Sequence, residues 1–69
     1  MYNPPSSLIE LTILIKEEAA QLGEYFLIYM LDTLNNPTFY SLKRECLKIT
    51  NHSSIRNLLI EYEENNLKK

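Results

Sequence analysis

The chain has one cysteine, one glycine, no tryptophan and no valine. A single cysteine, Cys46, rules out an internal disulfide. It also leaves any zinc site built from Cys46, His52 and carboxylates without the paired spacing that such sites use. A single glycine, Gly23, rules out a glycine-rich phosphate loop, and no nucleophile motif is present. The basic excess usual in nucleic-acid binders is missing too: Lys and Arg number 7 against 9 Asp and Glu. No stretch approaches the ~18 uninterrupted apolar residues of a membrane span. The N-terminus carries no basic segment ahead of an apolar run, and Glu10 interrupts the first such run. The expectation is a cytoplasmic chain with no cofactor, no metal, no small-molecule substrate and no enzymatic activity.

What is present is a globular composition, 45% hydrophobic and 23% charged. Sixty-nine residues make one helical domain over 1–69, with 1–6 an extended lead-in and 67–69 a frayed tail. A chain this short has a thin stability margin, and many of its size add a disulfide, a metal or a second subunit. The first two are absent here, so good helix packing or self-association must supply the margin.

The periodicity is helical throughout. Pro4 and Pro5 delay the first helix, and Ser7 with Glu10 matches the S-x-x-E capping box. From there Leu8, Leu11, Ile15, Ala19, Leu22, Phe26, Tyr29 and Met30 fall on one stripe at 100° per residue. The phase holds across Gly23, which predicts one helix over about 7–34, roughly 40 Å long at 1.5 Å per residue. The alternative is that Gly23 ends a first helix as its C′ residue and a second opens at Glu24. Asn36 and Pro37 suit the start of the next helix, about 37–50, with stripe Phe39, Leu42, Cys46 and Ile49. Ser53 or Ser54 suits the cap of the last, about 54–66, with stripe Ile55, Leu58, Leu59 and Tyr62. The expected architecture is all-α: a three-helix bundle or a helical-bundle dimer.

The first helix carries more apolar surface than one covered face requires. Ile9, Ile13, Ala20, Leu27 and Leu31 form a second stripe, about 100–140° from the first. Two short helices can cover one stripe along its length or straddle part of both, and an uncovered row of Ile and Leu is the kind of patch that marks an interaction site. Pairing of first helices about a two-fold axis would bury it. Tyr25, toward the polar side, is the tyrosine best placed to touch a partner. The alternative is a monomer whose later helices wrap both sides.

The remaining polar candidates each have a plainer reading. Lys43, Arg44, Lys48 and Arg56 could contact phosphate, and two short helices joined by a tight turn could form a helix-turn-helix. The spacing fits that motif poorly, and a solvated charged face explains the run better. His52 sits in a turn with no acidic or cysteine partner nearby in sequence. Cys46 falls on an apolar stripe, as a small core residue does. Glu17, Glu18 and Glu24, like Glu61, Glu63 and Glu64, read as solvated faces. The leading expectation is a non-enzymatic protein–protein interaction module, a small regulator or adaptor that pairs with itself or with another protein. The alternative is a small DNA-binding regulator that uses the basic second helix.

Overall fold

Helix α1 spans Leu8–Leu22, α2 Tyr25–Thr33, α3 Phe39–Ile49 and α4 Ser53–Asn66 in a computed structural model that describes residues 3–68. Met1, Tyr2 and Lys69, which the sequence assigns to the lead-in and the tail, lie outside the described residues. The described chain is all-helical with no strand, as the periodicity requires. It has four helices where the sequence predicts three, because the long first helix is broken at Gly23.

The break has a local cause. Gly23 adopts φ +76° and ψ 19°, the left-handed conformation that costs an L side chain about 1–2 kcal/mol. Its amide donates to the Ala20 carbonyl at 3.3 Å, and the Glu24 amide donates to Ala19 at 2.8 Å. This pair of bonds is a Schellman ending, which satisfies the carbonyls a helix terminus otherwise orphans. The unbroken apolar phase favoured continuity; the C-terminal chemistry of glycine won. The chain then turns back, and Lys16 of α1 forms an ion pair with Asp32 at the far end of α2.

The start of α1 follows the capping signal with one change. Ser7 Oγ accepts the Glu10 amide at 3.2 Å. The Glu10 carboxylate reaches past Ser7 and accepts from the Ser6 amide at 2.8 Å and the Ser6 hydroxyl at 2.7 Å. The Ser6 hydroxyl first, then the Ser6 amide, holds the Glu10 carboxyl below its ordinary value. A depressed folded-state pKa stabilises the fold above the unfolded value of 4.5 and ceases to do so as pH falls through the folded one. Glu10→Gln is therefore expected to lower the melting temperature near neutral pH. The difference from wild type should close on acidification to about pH 3, followed by circular dichroism.

The later helices start elsewhere than the sequence suggests. Thr38, not Asn36, caps α3, accepting the Ser41 amide at 3.1 Å. Asn36 instead takes φ 50° in the connecting turn, a conformation asparagine tolerates. His52 occupies the cap position of α4 with no side-chain cap bond, and Ser53 and Ser54 lie inside the helix.

The four helices close a ring in which α1 packs on α2 and α4, and α3 on α2 and α4. Its centre is Leu11, Ile15, Ala19, Leu27, Leu31, Phe39, Leu42, Cys46, Ile55, Leu59 and Tyr62, all buried. The α3 and α4 stripes read from the sequence thus form their half of the core, with Ile49 and Leu58 half-buried at its edge. Phe39 and Tyr62 stack at 5.3 Å between ring centroids and join α3 to α4. The lead-in is strapped to α4, where Asn66 Nδ2 donates to the Pro5 carbonyl at 3.2 Å. Among the described residues no buried side-chain nitrogen or oxygen lacks a partner.

Candidate functional site: the apolar surface around the first turn

Breaking the first helix redistributes its two stripes. Leu27 and Leu31, expected on the interaction row, are buried in the chain's own core. Leu27 cannot meet a partner while the fold is intact, and Leu31 shows only its edge, to an open groove beside α1. Once the chain reverses at Gly23, the α2 face that meets α1 and α3 is the one carrying Leu27 and Leu31. Leu22, Phe26 and Tyr29, assigned to the covered stripe, are left outside for the same reason.

The rest of the expected row is exposed. Ile9 is 75% exposed and Ile13 49% exposed, and Ala20 is exposed as well. Tyr25 is 68% exposed, beside Phe26 at 63% and Tyr29 at 65%. Two apolar surfaces result. One lies toward the N-terminal end of α1, where Leu8, Ile9, Ile13, Leu31, Leu34 and Pro37, together with Thr12, Lys16 and Asn36, border an open groove of about 360 Å³. The other flanks the turn and comprises Leu22, Tyr25, Phe26 and Tyr29. Sequence reasoning missed Leu22, Phe26 and Tyr29 as surface residues; reading Gly23 as a C′ residue signals the break, and the packing of α2 then decides which residues stay outside.

The basic residues are largely engaged. Lys43 Nζ lies 3.0 Å from Glu63 Oε1 on α4 and 5.9 Å from the Phe39 ring centroid. Arg44 and Lys48 both approach the Glu45 carboxylate, at 3.7 and 3.8 Å. Arg56 donates to the Asn51 carbonyl at 3.3 Å. Acidic neighbours dilute the positive potential that phosphate binding requires.

His52 has the acidic partner that its sequence neighbourhood lacks. Its Nε2 lies 3.1 Å from Glu24 Oε2, across the fold at the α1–α2 turn. The same oxygen accepts from the Thr50 hydroxyl at 3.1 Å, and Thr50 Oγ1 accepts the His52 amide at 3.2 Å. This cluster ties the α1–α2 turn to the α3–α4 turn. The Thr50 hydroxyl is donated to Glu24 and not to His52, and no three metal-ligating side chains converge among the described residues. Cys46 is buried; loss of solvation first, then the Glu45 charge, pushes its thiol up to about 11. A thiol so raised stays protonated and unreactive near neutral pH.

No protein-family model, curated protein or solved structure matches this chain. No helix among the described residues is long and apolar enough to cross a membrane.

Proposed function

We propose that the chain is a non-enzymatic protein–protein interaction module, a small regulator or adaptor that pairs with a second copy of itself. The observation that carries this reading is the exposure of three aromatic rings within five residues, Tyr25, Phe26 and Tyr29. Aromatic side chains bury large areas at little rotamer cost and are enriched at interface centres. A chain of 69 residues gains more from covering such a patch than a large protein would, because its own core is small. Ile9, Ile13 and Ala20 extend the apolar surface along α1.

Light scattering on a sizing column tests the reading. The wild type is expected to form a dimer at high micromolar concentration. Phe26→Asp is expected to be a folded monomer, because the side chain it replaces packs mostly against water. A wild type that stays monomeric would overturn self-association. Salt-sensitive binding to duplex DNA, lost in Arg44→Glu, would replace the reading with the DNA-binding one.

A further inference from the structure

We propose that the Gly23–Glu24 turn is a hinge through which two copies of the chain exchange α1. The turn opens, α1 and α2 run on as one helix, and each α1 packs against α2 and α4 of the other copy. This rests on the self-association reading and gives it a structural route.

The first support is a conflict within the sequence. Leu11, Ile15 and Ala19 are the buried face of α1. On a straight helix Leu22, Phe26, Tyr29 and Met30 continue that face in phase across Gly23. The folded-back chain leaves Leu22, Phe26 and Tyr29 exposed. The apolar pattern therefore encodes a continuous helix that the single chain does not form.

The second support is where the exposed side chains lie. When an element is exchanged, every contact it makes with the rest of the closed chain is remade between copies, and the new interface forms around the hinge. Leu22, Tyr25 and Phe26 are the residues on either side of it. Two straightened helices would cross near Gly23, where the missing side chain permits close approach.

The third support is how lightly the turn is held from within. Glu24 has no side-chain cap bond to α2, whose first turn carries no other acidic group. Its carboxylate instead holds Thr50 and His52 on the far side of the ring. The turn itself is thus held by the left-handed glycine with its two Schellman bonds and by one tertiary clasp, whereas the α1–α2 packing and the Lys16–Asp32 pair are contacts that exchange remakes between copies. Because α1 is the first helix of the described residues, it can also leave without threading a loop between the other three.

The Lys16–Asp32 ion pair distinguishes the two arrangements. On one straight helix these residues stand about 24 Å apart, at 1.5 Å per residue. After exchange the pair exists only between copies. Unlabelled and ¹⁵N-labelled chains are unfolded together and refolded at high concentration. A zero-length carbodiimide then joins amines to carboxylates in contact, and the dimer fraction is digested for mass spectrometry. Mixed-isotope Lys16–Asp32 peptides are expected. Gly23→Ala should raise the dimer fraction, because alanine disfavours the left-handed bend and favours the continuous helix. Together these shift the balance roughly thirtyfold per chain. Glu24→Ala, which releases the clasp, should act in the same direction.

A dimer giving only same-isotope Lys16–Asp32 peptides would overturn exchange and leave docking between closed copies standing. Folded monomer in the wild type and both variants would overturn exchange and self-association together. If Gly23→Ala does not fold, the isotope pattern of the wild type and of Glu24→Ala decides the matter.

Discussion

Leu27→Asp is expected to abolish the cooperative helical melt at 25 °C. Leu27 is fully buried on α2, which packs on α1 and α3, so its removal forfeits about 2–5 kcal/mol of transfer and packing energy. The aspartate must then stay protonated in an apolar site near neutral pH. A shift of three pKa units corresponds to about 4 kcal/mol. A domain of this size holds roughly 3–10 kcal/mol in total, so the sum consumes most or all of the margin. Ile9→Asp is the matched control: it places the same charge on a mostly solvated position of α1 and is expected to change stability by no more than about 0.5 kcal/mol. Far-UV circular dichroism against temperature reads both, at low micromolar concentration where the Ile9 surface is not engaged in self-association. A Leu27→Asp chain that melts like the wild type would show that α2 does not turn this face inward, and the break at Gly23 would fall with it.

Leu59→Ala is expected to lower the melting temperature by roughly 10–30 °C, while the adjacent Ile60→Ala moves it by only a few degrees. Leu59 is fully buried, and Ile60 projects from the outer side of the same helix. Truncating the first leaves a cavity and costs about 2–5 kcal/mol. Each kcal/mol moves the midpoint of a domain this size by about 4–8 °C. Ile60 already gives part of its side chain to water, so its truncation loses less burial and opens no internal cavity. Equal effects at the two positions would mean that α4 is rotated from the orientation described.

The pair of substitutions also separates what periodicity reveals from what it does not. In α3 and α4 the apolar stripes are narrow and the polar residues are on the other side. Phe39, Leu42, Cys46, Ile55, Leu59 and Tyr62 could be named as core from their spacing, and all are buried. Helix α1 up to Ala19 was legible for the same reason. Beyond Gly23 the reading failed, because almost every position of α2 is apolar: Tyr25, Phe26, Leu27, Ile28, Tyr29, Met30 and Leu31 run without a polar residue. A segment apolar all round has no preferred phase of its own. Its inward face is chosen by the direction in which the turn sends it.

The same limit applies to the polar contacts. Ser7 capping α1 is local and was readable three residues ahead. The Glu24–Thr50–His52 cluster spans 26 residues from Glu24 to Thr50 and leaves no trace in local spacing. Lys43 and Glu63 stand 20 residues apart, and nothing in either neighbourhood announces the other.

By itself, then, the sequence determined an all-helical chain, the core faces of α1, α3 and α4, and an excess of apolar surface on the segment before Asn35. It excluded a disulfide outright, since a single cysteine cannot form one within the chain. Only the tertiary structure decided which apolar residues make up that excess. The reversal at Gly23 spends Leu27 and Leu31 on the core and leaves Leu22, Tyr25, Phe26 and Tyr29 outside. The physical reason is that helical phase fixes relative angles only within one helix. A left-handed residue with a Schellman ending resets that phase, and the packing of α2 against α1 and α3 then selects the new one.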